Sequence, residues 1–215
     1  GVKWTALQII ARNVLSLGTT AVLARLLSPG DYGLVGMVAT LTALLLVFSD
    51  MGLSWATIQR KRLSNIQVSN LFWINTCVGC VLWGLCIIGA PSIAAFYNQT
   101  ELVAITIALG AGFFISGLSA QPIALLNRSM NYKAVAQIEI VAMITGAAAA
   151  LFAAFYGLGY WALVIQGLVN QGVRASLALR ASRIQLFTPK RGSGTRELVR
   201  FGGLLAVNGL LIYFA

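Results

Sequence analysis

The sequence predicts an all-α fold, a polytopic transmembrane helix bundle with six full membrane helices and the start of a seventh. Three observations lead there. The 215 residues are 59% hydrophobic and only 9% charged, whereas soluble domains carry roughly 25% charged residues. Their mean hydropathy is +0.85, and a chain of this size leaves too much surface in water to hide so much apolar area. Apolar runs of about 20 residues, the length that crosses a hydrocarbon core, recur along the chain. The runs do not alternate: ALLLVF (43–48) and GAAAALFAAF (146–155) lack the apolar–polar period of barrel strands. Backbone groups in lipid must be paired internally, which leaves helices.

The first span covers about residues 4–27 and the second about 29–58. Between them stands LARLLSPGDYGLVG (23–36). Ser28 suits an N-cap, Pro29 the first helical position, and Asp31 the place from which a capping acid reaches back. Asp31 also meets the positive end of its helix dipole, and Arg25 the negative end of the preceding one. The third span, about 68–90, holds all three cysteines, Cys77, Cys80 and Cys86. Their C-x-x-C pair lacks the turn of a redox or zinc site, so they read as small apolar side chains.

The fourth span, about 102–126, places small residues every four positions: Ala104, Ala108, Gly112, Ser116 and Ala120. The fifth, about 134–155, does so with Ala142, Gly146, Ala150 and Ala154. Such faces allow close helix approach in membranes, so both spans are expected to pack tightly on neighbours, including each other. The turn YGLGY (156–160) leads into the sixth span, about 158–179. The domain reading is a first bundle over 1–179, a basic cytoplasmic linker over 180–197 and a truncated start of a second bundle over 198–215. The opening at Gly1 and the apolar run at the other end point to the amino-terminal part of a longer membrane protein.

The net charge is +10, from 15 Lys and Arg against 5 Asp and Glu. Lys3, Arg60, Lys61, Arg62, Arg128, Lys133, Arg180, Arg183, Lys190, Arg191, Arg196 and Arg200 all fall on the side of the amino terminus. Arg25, Asp31 and Glu101 fall on the other. This asymmetry places the amino terminus in the cytoplasm, and charge in short loops suits lipid headgroups rather than nucleic acid. There is no histidine, no phosphate-binding Gly loop with Lys and no nucleophile beside a base. The expectation is therefore no enzyme and no cofactor or metal, with transport driven by a gradient or by downhill flow of the substrate.

Four ionisable residues lie at membrane depth, where such groups usually face a bundle interior or a water-filled cavity. Arg12 is roughly 12 Å past Trp4, and Asp50 roughly 15 Å before Arg60, at 1.5 Å per residue. Glu139 and Arg174 complete the set. All four fall in the same half of the bilayer, which predicts a polar vestibule open to the cytoplasm, with Arg12 and Asp50 at similar depth for pairing. The alternative is snorkelling, for Arg174 above all.

The loops carry a pattern: GVKWTALQ (1–8), LARLLSPGDYGLV (23–35), FSDMGLSWATIQRK (48–61), LFWIN (71–75), APSIAAFYNQTEL (90–102), LLNRSMNYKAVAQIEI (125–140), GLGYWALV (157–164) and ELVRFGGLL (197–205). In this the chain resembles the polysaccharide and lipid-linked oligosaccharide flippases of the multidrug/oligosaccharidyl-lipid/polysaccharide exporter superfamily. The resemblance implies twelve to fourteen helices in two facing bundles in the bacterial inner membrane. It implies alternating-access movement of undecaprenyl-pyrophosphate-linked oligosaccharide repeats to the periplasmic leaflet, for O-antigen, capsule or exopolysaccharide assembly. Implied partners are the lipid-linked oligosaccharide, membrane lipids, a polysaccharide polymerase and chain-length proteins. The family pattern assigns no ligand residue. Arginine suits a pyrophosphate, which makes Arg12 the first candidate, with Arg25 placed to meet the headgroup on the far side. Two other readings stand beside this: a cation-coupled multidrug-type exporter using Asp50 and Glu139, and a non-transporting scaffold of a polysaccharide assembly complex.

Overall fold

The structure, a computed structural model, describes residues 2–49, 53–60, 63–184 and 187. Seven helices and no strand occur among the described residues: α1 (Val2–Leu26), α2 (Pro29–Ser49), α3 (Leu53–Gln59), α4 (Asn65–Tyr97), α5 (Glu101–Arg128), α6 (Tyr132–Phe155) and α7 (Trp161–Ser182). Asp50, the linker beyond 184 apart from Phe187, and the expected seventh span lie outside the described residues. Among the described residues α4, α5 and α6 are long and apolar enough to cross a membrane, with mean hydropathies of 2.0, 2.0 and 2.1.

The span expected over 29–58 is described as two helices, α2 and α3, and residues 50–52 between them lie outside the described residues. Helix α3 has its own fastening to α5. Arg128 Nη1 donates to the Thr57 carbonyl at 2.7 Å and also to the Arg60 carbonyl, satisfying carbonyls that a helix end leaves without partners. The Thr57 hydroxyl donates to Gln121 Oε1 at 2.8 Å, with both residues fully buried. The span expected to stop at 90 runs on to Tyr97, with Pro91 inside it, and closes on Asn98 at φ 53. Membrane helices tolerate an internal proline because neighbours make up the lost backbone bond, and Asn enters the left-handed region readily. Helix α4 also begins earlier, on a capping box in which Gln67 N–H donates to Ser64 Oγ at 3.2 Å and Ser64 N–H to Gln67 Oε1 at 3.1 Å.

Helix α5 is the hub, packed against α4, α7, α2 and α3, while α6 carries α7 and α1. Helices α4 and α5 touch backbone to backbone. A Cβ on Gly79 would sit 2.5 Å from the Phe113 carbonyl oxygen, and one on Gly117 would sit 2.5 Å from that of Asn75. The small-residue face expected on the fourth span is not this seam: Ala104 is exposed, and Gly112 abuts Gln171 of α7. The face expected on the fifth span is buried, with Gly146 against Gln166 and Asn170 of α7 and with Ala150 and Ala154 against Leu23 and Leu27 of α1. The two faces thus pack mainly on α7 and α1 rather than on each other.

The surface is inverted relative to a soluble bundle. Asn75, Gln121, Thr57 and Thr106 are buried, whereas Val81, Leu85 and Ile88 on one side of α4 are 63%, 52% and 78% exposed. A contiguous apolar exterior over a polar seam is what lipid as the surrounding solvent requires. The three cysteines are free thiols, Cys77 and Cys80 exposed and Cys86 buried.

Candidate functional site

Helices α1, α6 and α7 enclose a polar cavity of about 490 Å³. Arg12 and Ser16 line it from α1, Glu139, Ile140 and Met143 from α6, and Asn170 and Arg174 from α7. Such a volume lies within the usual range of ligand sites, about 300–1,000 Å³.

Helical spacing sets each wall. Arg12 and Ser16 are four apart, as are Asn170 and Arg174, so each pair shares a helix face. Small side chains then bring α7 close to α6. A Cβ on Gly146 would lie 3.0 Å from the Gln166 carbonyl oxygen and 3.1 Å from Asn170 Cβ. Below that contact Arg174 Nε donates to Glu139 Oε1 at 2.8 Å, with the two side chains 33% and 25% exposed. The bond uses Nε, and a guanidinium has further N–H donors on its Nη nitrogens.

Of the five residues singled out in the sequence, the structure brings together three, Arg12, Glu139 and Arg174. Arg174 pairs across helices with Glu139. Arg25 stands apart, exposed in the last turn of α1 and about 20 Å along that helix from Arg12 at 1.5 Å per residue. Asp50, and with it the expected pairing to Arg12, lies outside the described residues. Sequence reasoning missed Ser16 and Asn170. Both stand one turn from a charged residue already under suspicion, and that spacing was the signal available.

The turn after Arg25 is a capped helix start. The Ser28 N–H and hydroxyl both donate to Asp31 Oδ2, at 2.9 and 2.7 Å, and Asp31 N–H donates to Ser28 Oγ at 3.2 Å. The same carboxylate faces the turn between α6 and α7, where a Cβ on Gly159 would lie 2.9 Å from Asp31 Oδ1. Gly159 has φ +53, so glycine is needed there both for its backbone and for the room it leaves.

Among the described residues, two positive groups against one carboxylate give the cavity a net positive lining. Ser16 and Asn170 add neutral hydrogen-bonding groups. Together these groups offer hydrogen-bond donors and positive charge around the cavity.

Comparison with known proteins gives a consistent picture. A family described as polysaccharide biosynthesis protein matches residues 22–215. The lipopolysaccharide biosynthesis protein WzxC of Escherichia coli is 24% identical over 216 residues, which is 99% of this chain and 44% of that protein. The succinoglycan biosynthesis transport protein ExoT of Rhizobium meliloti is 28% identical over 85% of this chain and 37% of its own length. The teichuronic acid biosynthesis protein TuaB of Bacillus subtilis is 29% identical over 65% of this chain and 29% of its own length. The chain therefore spans less than half the length of these curated relatives. No solved structure matches it.

Proposed function

Because the chain belongs to the polysaccharide biosynthesis protein family, we propose that it forms part of a membrane flippase. The flippase moves undecaprenyl-pyrophosphate-linked oligosaccharide repeats from the cytoplasmic to the periplasmic leaflet of the bacterial inner membrane by alternating access. The family and the relatives named for polysaccharide biosynthesis and transport support a polysaccharide export-type, multi-pass membrane protein. The charge asymmetry of the loops supports a cytoplasmic amino terminus. Six full spans with a seventh beginning, in a larger two-bundle transporter, is the architecture that goes with this reading.

The observation that supports the substrate class is the convergence of Arg12 and Arg174 on one cavity whose one carboxylate among the described residues, Glu139, is paired with Arg174. A cation exporter needs a carboxylate free to take its cargo. Among the described residues the carboxylate is engaged with a guanidinium, and the surplus charge is positive. A pyrophosphate head entering from the membrane would find Arg12 and the Nη donors of Arg174, both suited to phosphate oxygens. Ser16 and Asn170 would take the adjoining polar groups. Ion pairing at this depth is strengthened by low dielectric, so exchange of Glu139 for phosphate at Arg174 gives a binding event that can be reversed on the other side.

The test is leaflet translocation of lipid-linked oligosaccharide in proteoliposomes carrying the complete protein. Arg12→Ala and Arg174→Ala are expected to cut the rate while the protein still inserts. Unchanged flipping in both variants would sink the proposal and favour a scaffold.

A further inference from the structure

A second cavity, of about 520 Å³, opens at the end of the bundle where α4 and α6 begin and α5 and α7 finish. It shares no residue with the cavity at Arg12. Two arginines, Arg128 and Arg183, line it, with no carboxylate among the described lining residues, and Val68, Leu126 and Ile184 supply apolar wall. Arg128 is already anchored to the carbonyls of Thr57 and Arg60, so it acts as a fixed positive charge. Arg183 caps α7 in the left-handed conformation at φ 47. That position usually goes to glycine or asparagine, and an arginine keeps a long cationic side chain there at a cost in backbone energy.

A groove of about 540 Å³ adjoins this cavity, sharing Ala181 as a common wall. It runs between α6 and α7, is walled by Ile138, Val141 and Leu177, and has Arg180 in its lining. A basic mouth continuous with an apolar furrow matches a molecule with a phosphate at one end and a hydrocarbon chain at the other. A soluble phosphate ester would leave the furrow empty, and a neutral lipid would leave the arginines without a counter-charge. Basic pockets between membrane helices recognise anionic headgroups in this way.

We propose that this end of the bundle binds an anionic phospholipid, its phosphate among Arg128, Arg180 and Arg183 and one acyl chain in the α6–α7 groove. The site is separate from the transport cavity, so its failure and that of the flippase reading are distinguishable.

The experiment is lipid retention by the complete protein, stripped with detergent and read by native mass spectrometry after reconstitution with phosphatidylglycerol or phosphatidylethanolamine. Phosphatidylglycerol is expected to be retained in preference. Arg180→Gln with Arg183→Gln is expected to weaken that retention roughly twenty-five-fold, about fivefold for each basic residue. Ala181→Trp, which fills the shared wall and leaves every charge in place, is expected to remove it too. Should the arginine variant fail to fold, Ala181→Trp decides alone. Equal retention of the two lipids, unaltered retention in Ala181→Trp, displacement by inorganic phosphate, or preferential displacement by undecaprenyl phosphate would each overturn the proposal.

Discussion

Arg174 Nε lies 2.8 Å from Glu139 Oε1, joining α7 to α6 through two charges 35 residues apart in the chain. Removing the carboxylate while keeping its shape frees the guanidinium. Glu139→Gln is therefore expected to tighten binding of a lipid-linked pyrophosphate by roughly 1 kcal/mol, about fivefold. The check is a titration of the complete protein with that lipid. Weaker binding in the variant would instead make Glu139 a direct contact of the substrate.

The approach of α7 to α6 rests on a missing side chain. Gly146→Val would push against the Gln166 carbonyl and Asn170, so ~1–3 kcal/mol of stability should be lost to overpacking. The pair Arg174–Glu139 should loosen with it. Thermal unfolding in detergent measures the first effect, and reduced flipping by protein that remains folded measures the second.

Glycines on α4 offer an internal contrast. Gly79→Ala places a Cβ 2.5 Å from a carbonyl oxygen of α5, whereas Gly84 and Gly89 have nothing within 4 Å. Gly79→Ala should destabilise by more than ~1 kcal/mol. Alanine at 84 or 89 should be neutral or stabilise by ~0.5–1 kcal/mol, since glycine is a weak helix former. Equal effects at all three positions would refute the close α4–α5 seam.

Asp31 links two turns, and the two sides can be perturbed separately. Ser28→Ala removes the N-cap and should cost about 1 kcal/mol, with flipping retained by the folded fraction. Gly159→Ala should cost more, because it strains a residue at φ +53 and presses on Asp31 Oδ1. Gly157→Asn, at φ +72 with open space around it, should be tolerated, as Asn occupies the left-handed region readily. Comparative unfolding midpoints of the three variants are the measurement.

Release of α3 is the fifth test. Arg128→Ala leaves the Thr57 and Arg60 carbonyls without their shared donor, and the charge-assisted bonds lost point to roughly 1.5–3 kcal/mol. Limited proteolysis should open the segment around residue 60 before the rest of the bundle. Proteolysis that instead begins elsewhere would show that α3 is held by packing alone.

By itself the sequence determined the class of the fold and the local punctuation. Apolar runs of membrane length are a property of composition along the chain, and no tertiary contact is needed to read them. The Ser28–Asp31 cap was legible for the same reason, since all its bonds close within four residues. So was the short list of costly charges, because an ionisable side chain in an apolar run stands out without coordinates. What the tertiary structure decided was which of these meet. Glu139 and Arg174 were two isolated charges until α7 lay along α6, and Ser16 and Asn170 came to line the same cavity only when three helices closed around one space. The seam between α4 and α5 fell on Gly79 and Gly117 rather than on the regular face of small residues, because rotation of one helix against another depends on the shape of both. A single sequence specifies what each helix surface carries. The angle at which those surfaces are presented to one another is settled only when the helices pack.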